Sequence, residues 1–258
     1  MSKGLQAQAN YTFSKSLTDG ADAANNQSTL EQFRTLRNLS LDKHRSLLDQ
    51  THRFVANFLY EMPFGAGRRW LNGGFAPLRK AVEGWQVGSI ISWQTGQPVG
   101  IFAGRSTFNQ FNTGLNPAQL AGITAEEFRD SAGIFKTPAG VFFYDPKLLN
   151  ITTNATTGQL TGATLKNGLL AAPAPGTFGN FPRNLINGPN FSQVDISLTK
   201  RTYIYEKANM ELKVNFINAF NHPNFAFGDT TFDNANFGRI SGTRGSERQI
   251  NFILAINF

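Results

Sequence analysis

The sequence predicts an all-β protein: an antiparallel transmembrane β-barrel segment of about six long meander strands with long external loops. Six stretches of the 258-residue chain alternate apolar and polar side chains, several run nine residues or more, and none carries a charge on its apolar side. Successive side chains of a strand point to opposite faces, so a hydrophobic period of two marks a sheet with one dry and one wet face.

The first stretch opens with Leu5, Ala7, Ala9, Tyr11 and Phe13 on one face and Gln6, Gln8, Asn10, Thr12 and Ser14 on the other. From Arg53 to Met62, Phe54, Ala56, Phe58, Tyr60 and Met62 oppose Arg53, Asn57 and Glu61, with Val55 and Leu59 interrupting the polar side. A weaker third stretch sets Trp85, Val87, Ile91 and Trp93 against Gln86, Ser92 and Gln94, with Ser89 and Ile90 out of phase. The fourth, Gln193 to Thr199, alternates Val194, Ile196 and Leu198 with Asp195 and Ser197. The fifth is the longest, with Ala208, Met210, Leu212, Val214, Phe216 and Phe220 against Asn209, Glu211, Lys213 and Asn215. The last places Ile250, Phe252, Leu254, Ile256 and Phe258 opposite Gln249, Asn251 and Asn257. Of the 30 positions on the dry faces 28 are apolar, whereas the chain's 40% hydrophobic content would place about 12 there by chance.

Two architectures satisfy this pattern. A β-sandwich buries the dry faces of two sheets against each other; a membrane barrel turns them to lipid and the wet faces to an aqueous lumen. Strand length favours the barrel, because spanning strands need about 9 to 11 residues and sandwich strands average nearer 5 to 6. Mid-strand charges on the wet side agree, and Arg53, Asn57, Glu61, Asp195, Glu211 and Lys213 are read as lumen-facing. Tyr11, Phe13, Tyr60, Trp85, Trp93, Phe220 and Phe258 lie near segment ends, where interfacial aromatic girdles sit. If the last strand ends on the periplasmic side, the connections at 17–50, 95–190 and 221–247 are external, and those at 63–84 and 200–207 are periplasmic turns. The long connections then all share one side.

Composition narrows the function. The chain has no Cys, which excludes disulfides, thiolate metal sites and a Cys nucleophile. No run of about 18 apolar residues is present to form a spanning helix. The start, MSKGLQAQANYTF, has no apolar core of a secretory signal, which fits either a cytoplasmic chain or the tail of a longer protein. The net charge of +7 is scattered through turns and loops without a nucleic-acid-binding motif. The external cations Arg34, Arg37, Lys43 and Arg45 are candidates to meet lipopolysaccharide phosphates or anionic ligands.

Several motifs then look familiar together: Tyr11-Thr-Phe-Ser-Lys-Ser-Leu, His52-Arg-Phe-Val-Ala-Asn, Tyr60-Glu-Met-Pro-Phe-Gly, Gly84-Trp-Gln-Val with Thr95-Gly-Gln-Pro, Arg183-Asn through Asp195-Ile-Ser-Leu, Asn215-Phe-Ile-Asn-Ala-Phe-Asn-His-Pro-Asn-Phe, and Arg248 to Phe258. In this order they resemble the C-terminal end of Oar-like TonB-dependent transporters, over most of the chain except roughly Gly104 to Phe181, which reads as a variable loop. The resemblance implies that 1–258 is the C-terminal part of a TonB-dependent receptor-like barrel in the cell outer membrane. It further implies that Phe252, Leu254, Ile256 and Phe258 serve as an assembly signal for the barrel-assembly machinery. The intact protein would import or bind an unidentified ligand, powered by a TonB-type energy-transducing protein and contacting outer-membrane lipid and lipopolysaccharide. Family barrels have about 22 strands around a plug, so six strands are expected to be a fragment of the larger barrel. A passive porin-like or structural barrel is the near alternative, and a soluble secreted β-sandwich binding module the distant one.

No cofactor and no catalysed reaction are expected. His44, His52 and His222 share no metal-ligand spacing, with His52 placed toward the lumen and His222 in a turn. Asp19, Asp22, Asn25 and Asn26, and separately Asp229 and Asp233, are oxygen-rich but lack the spacing of a calcium loop. Gly65 and Gly67 form a lone Gly-x-Gly without a nucleotide-binding context. Ser28 to Glu31 and Thr124 to Glu127 each match the capping box of a short helix.

Overall fold

A computed structural model describes residues 4–18, 38–105, 107, 116–205 and 208–257. The calls at Asp19 to Glu31, at Arg34 and Arg37, and at Phe258 lie outside these residues. Six strands form one antiparallel meander: β1 (Leu5–Phe13), β2 (His52–Glu61), β3 (Trp85–Gln94), β4 (Phe191–Tyr205), β5 (Ala208–Ile217) and β6 (Gln249–Asn257), each bonded to its neighbour in sequence. The long connections all leave one end of this sheet and the short ones the other.

Register carries the two-faced pattern through every strand. Leu5, Tyr60, Val87, Leu198, Val214 and Phe252 are successive cross-strand partners, forming one apolar row. One residue along, Gln6, Leu59, Gly88, Ser197, Asn215 and Asn251 form a row of the opposite face. A slip of one residue at any pairing would mix the faces, so the alternation itself fixes the register. Leu59 is accommodated on the polar side because its partner is Gly88, where an added Cβ would lie 3.5 Å from the Leu59 side chain. Ser89 stays on the apolar face between Phe58 and Ile196, and β3 keeps its register through the out-of-phase pair.

Among the described residues no second protein layer covers the apolar face. Phe252 is 73% exposed, Leu254 62% and Phe13 65%, in an environment that would strand them in water unless lipid replaced it. The buried hydrophobic residues lie elsewhere, in the long connections. At the outer ends of the sheet, β1 and β6 each bond to one neighbour among the described residues.

The structure corrects two boundaries. Strand β4 does not end at Thr199; it continues to Tyr205 and β5 opens at Ala208, so most of the turn expected at 200–207 is strand. Lys200 belongs to the apolar phase, opposite Trp85 and Leu212, which made the strand look finished. Its long stem lets the ammonium leave the dry face and donate to the Lys80 carbonyl at 2.7 Å and to the Glu83 carbonyl. Strand β5 ends at Ile217, leaving Phe220 in a turn.

Across its described residues the segment 95–190 is not an irregular loop. It folds with residues 218–248 into a cap at the long-connection end. There Ala132–Thr137, Gly140–Tyr144 and Arg239–Ile240 make a three-stranded sheet, and Leu149–Thr153 pairs with Leu160–Leu165. Helix α2 (Ala125–Asp130), for which Thr124 and Glu127 form the expected capping box, inserts the fully buried Phe128 beneath them. Helix α1 (Ala76–Val82) lies in the β2–β3 connection at the opposite end.

Candidate functional site: the polar face and the external cap

Cross-strand pairing brings Glu61, Gln86, Thr199 and Lys213 into one row of the polar face. Glu61 accepts from Gln86 Nε2 and from Arg68, both at 3.3 Å. On the adjoining row the Arg201 guanidinium donates twice to Glu211 Oε2, at 2.8 and 3.2 Å. Opposite charges thus neutralise one another near the short-connection end, where Glu61, Arg68, Gln86, Thr199, Arg201 and Tyr203 line a cleft of about 180 Å³. Asn57 shares the face, paired through Ile90 with Asp195, and Arg53 lies opposite Gln94 near the cap.

Asp195 works locally, accepting from Gln193 Nε2 at 2.9 Å and from the Asn218 backbone amide at 2.9 Å. That second bond belongs to a corner whose role sequence reasoning missed. In Asn218-Ala-Phe-Asn-His-Pro-Asn224, Asn218 and Asn221 take left-handed backbone conformations, which Asn tolerates better than most residues. The buried Asn218 side chain donates to the His222 and Ser246 carbonyls and accepts from the His222 amide. Asn224 both accepts from and donates to the Ser192 backbone. Three asparagines therefore tie the outer ends of β4, β5 and β6 together; the signal was their spacing around a Pro.

His52 does not face the lumen. It pairs with Phe13 on the apolar face, its Nδ1 is 2.8 Å from the Tyr11 hydroxyl, and its ring lies 5.3 Å from Phe13. The cluster is an aromatic rim where the sheet meets the cap. Of the anticipated assembly residues, Phe252, Leu254 and Ile256 alternate along exposed β6.

The cap is built around rings. Tyr144 stacks on Phe237 with centroids 5.0 Å apart, Phe128 meets Phe181 edge-on at 5.5 Å, and Phe143 meets Phe227 at 4.7 Å. Burial pushes the Tyr144 phenol up, so it stays protonated. The first connection is sewn to this core by a strap, residues 38–51. Within it Asp42 accepts from Arg183 at 3.0 Å with both side chains almost fully buried, and Asn184 donates to the Arg45 carbonyl. Gly96 and Gly188 lie so close at the root that a Cβ on Gly96 would sit 1.9 Å from the Gly188 oxygen.

Arg45, expected to reach for external anions, is instead spent inside the strap, donating to Asp49 at 2.7 and 3.0 Å and to Asn187 at 2.8 Å. Burial alone would push the Asp49 carboxyl up. The Ser16 amide, the Arg45 guanidinium and the Thr51 hydroxyl outweigh that and hold it below its ordinary value of 3.8. A depressed carboxyl contributes stability that is present above the unfolded value and lost as pH falls through the folded one. Hydrogen exchange of the strap amides is therefore expected to accelerate as pH drops below 3.8, after correction for intrinsic rates, and Asp49→Asn should abolish that acid-dependent step. An unchanged acid profile in the variant would show that Asp49 does not govern the strap.

No metal-binding group of three or more acidic or His side chains occurs among the described residues. Asp229 accepts from the Thr231 amide and holds a turn, whereas Asp233 accepts from the Gly104 amide and ties two connections of the cap together. Gly65 and Gly67 adopt positive φ in the β2–β3 connection, where Gly65 packs against Glu83.

The comparison with protein families decides the setting: a family model described as outer membrane beta barrel domain matches residues 1–251. The chain belongs to the outer membrane β-barrel family. Its place is the outer membrane, where barrels of this kind turn an apolar band to lipid and carry their longer connections on the external side. No curated protein and no solved structure matches the chain. The soluble sandwich is set aside, because the face it would have to bury stays open.

Proposed function

We propose that this outer membrane β-barrel domain belongs to a TonB-dependent receptor-like transporter that captures a ligand at its cap and passes it along the polar face. The observation that carries this is the cap: two long connections share one aromatic core and the first is fastened to them through the buried Asp42–Arg183 pair, one platform rather than separate loops. Rigid recognition surfaces reduce the ordering cost of binding. Below it, Arg53, Asn57, Asp195, Glu211 and Lys213 offer hydrated groups along the lumen wall, and further strands would pair with β1 and β6 to close the barrel, since hydrocarbon does not tolerate open edges. Phe252, Leu254, Ile256 and Phe258 would be read by the barrel-assembly machinery. No reaction is catalysed in this reading, and a TonB-type partner supplies the energy.

Conductance in planar bilayers tests the reading. The barrel isolated from outer membranes, bathed in potassium chloride, should show no steady conductance until urea displaces a plug. Stable open channels without denaturant would overturn the receptor reading in favour of a passive porin-like barrel.

A further inference from the structure

The β2–β3 connection exposes more apolar surface than a water-facing turn should. Trp70 is 51% exposed, Leu71 55%, Phe75 73% and Leu78 60%, in a stretch that also carries Arg69, Arg79 and Lys80. Isolated exposed apolar residues need no explanation, whereas four within nine positions do.

The way α1 is attached says which surface these residues meet. The Trp85 indole, on the apolar face of β3, donates to the Ala81 carbonyl at 2.9 Å. Lys200, on the same face of β4, donates to the Lys80 and Glu83 carbonyls and sits 5.5 Å from the Trp85 ring. The C-terminal carbonyls of α1 are thus fastened to the lipid-facing side of the sheet, not to its lumen side. Gly84 permits this closeness, with positive φ and a position where a Cβ would lie 2.2 Å from the Arg201 oxygen. These bonds set the end of α1 beside the edge of the lipid-facing band. Arg68 is separate, because it turns to Glu61 on the polar face.

We propose that residues 69–82 form a foot lying in the headgroup region of the periplasmic leaflet, with Phe75 and Leu78 among the acyl chains and Arg69, Arg79 and Lys80 at anionic phospholipid phosphates. Aromatic side chains and cations flanking an apolar surface suit that zone, since rings settle at the interface and cations are drawn to acidic lipid. Arg69 is also placed 5.6 Å from the Trp70 ring, which holds its charge beside the apolar surface.

The absence of Cys from these 258 residues makes an introduced Cys unique among them, and any Cys elsewhere in the barrel is replaced by Ser. Leu78→Cys carrying a nitroxide, in the barrel reconstituted into phosphatidylcholine–phosphatidylglycerol vesicles, should be open to oxygen and shielded from a water-soluble nickel complex. Phe252→Cys gives the lipid reference and Lys147→Cys the water reference. A fluorophore at residue 78 should be quenched more by brominated phosphatidylglycerol than by brominated phosphatidylcholine, and each of Arg69→Gln, Arg79→Gln and Lys80→Gln should lower that preference about twofold to fivefold. Nickel accessibility at residue 78 equal to that at residue 147 would overturn the foot and favour a periplasmic protein as its occupant. Equal quenching by the two lipids would overturn the assignment of anionic headgroups.

Discussion

Asp42→Asn is expected to loosen the strap by about 3–5 kcal/mol, because it removes one member of an ion pair in which the Arg183 side chain is only 3% exposed. Limited proteolysis and hydrogen exchange over residues 38–51 and 183–187 should report the loss, while β1 to β6 keep their protection. Replacing both partners with apolar residues of similar volume, Asp42→Leu with Arg183→Met, should recover most of it, since removing a buried pair whole costs less than removing one of its members. A single variant as protected as the parent would show that the strap is held by its backbone pairing and not by this pair.

The second large effect is on the lipid face. Phe252→Arg, mid-strand on β6 and opposite Val214, should destabilise the inserted barrel by roughly 2–4 kcal/mol. Asn251→Arg, one residue away on the polar face and opposite Asn215, should change little because water hydrates it there. Urea titration in vesicles, followed by heat-modifiable migration, separates the two. Equal destabilisation by both substitutions would mean that the faces of β6 are not lipid and water.

The six strands were legible because lipid on one side and water on the other impose a period of two that survives in the sequence of each strand. Even Val55 and Leu59, which break the polar side, left the frame of β2 intact. The end of β4 was misread for a physical reason: a Lys at an apolar position looks like a stop, yet its four-carbon stem lets the charge leave the face that its Cβ occupies. His52 was placed in the lumen because it is polar, but its neighbours Tyr11 and Phe13 draw it into the aromatic rim. The cap was illegible for a different reason. Its strands are two to six residues long, too short for periodicity to declare itself, and its core joins Phe128, Phe181 and Phe237 across more than a hundred positions. Only the capping box of α2 announced that anything regular stood there.

The cap and the barrel wall draw their cohesion from different solvents. The rings around Tyr144 come together because water expels them, a force that carries a large heat-capacity change and strengthens with salts that tighten water structure. The wall owes its order to a bilayer, where that force is absent between strands and lipid. Changing membrane thickness or detergent should therefore melt one and spare the other, so the exterior platform can outlast the loss of the surface on which it stands.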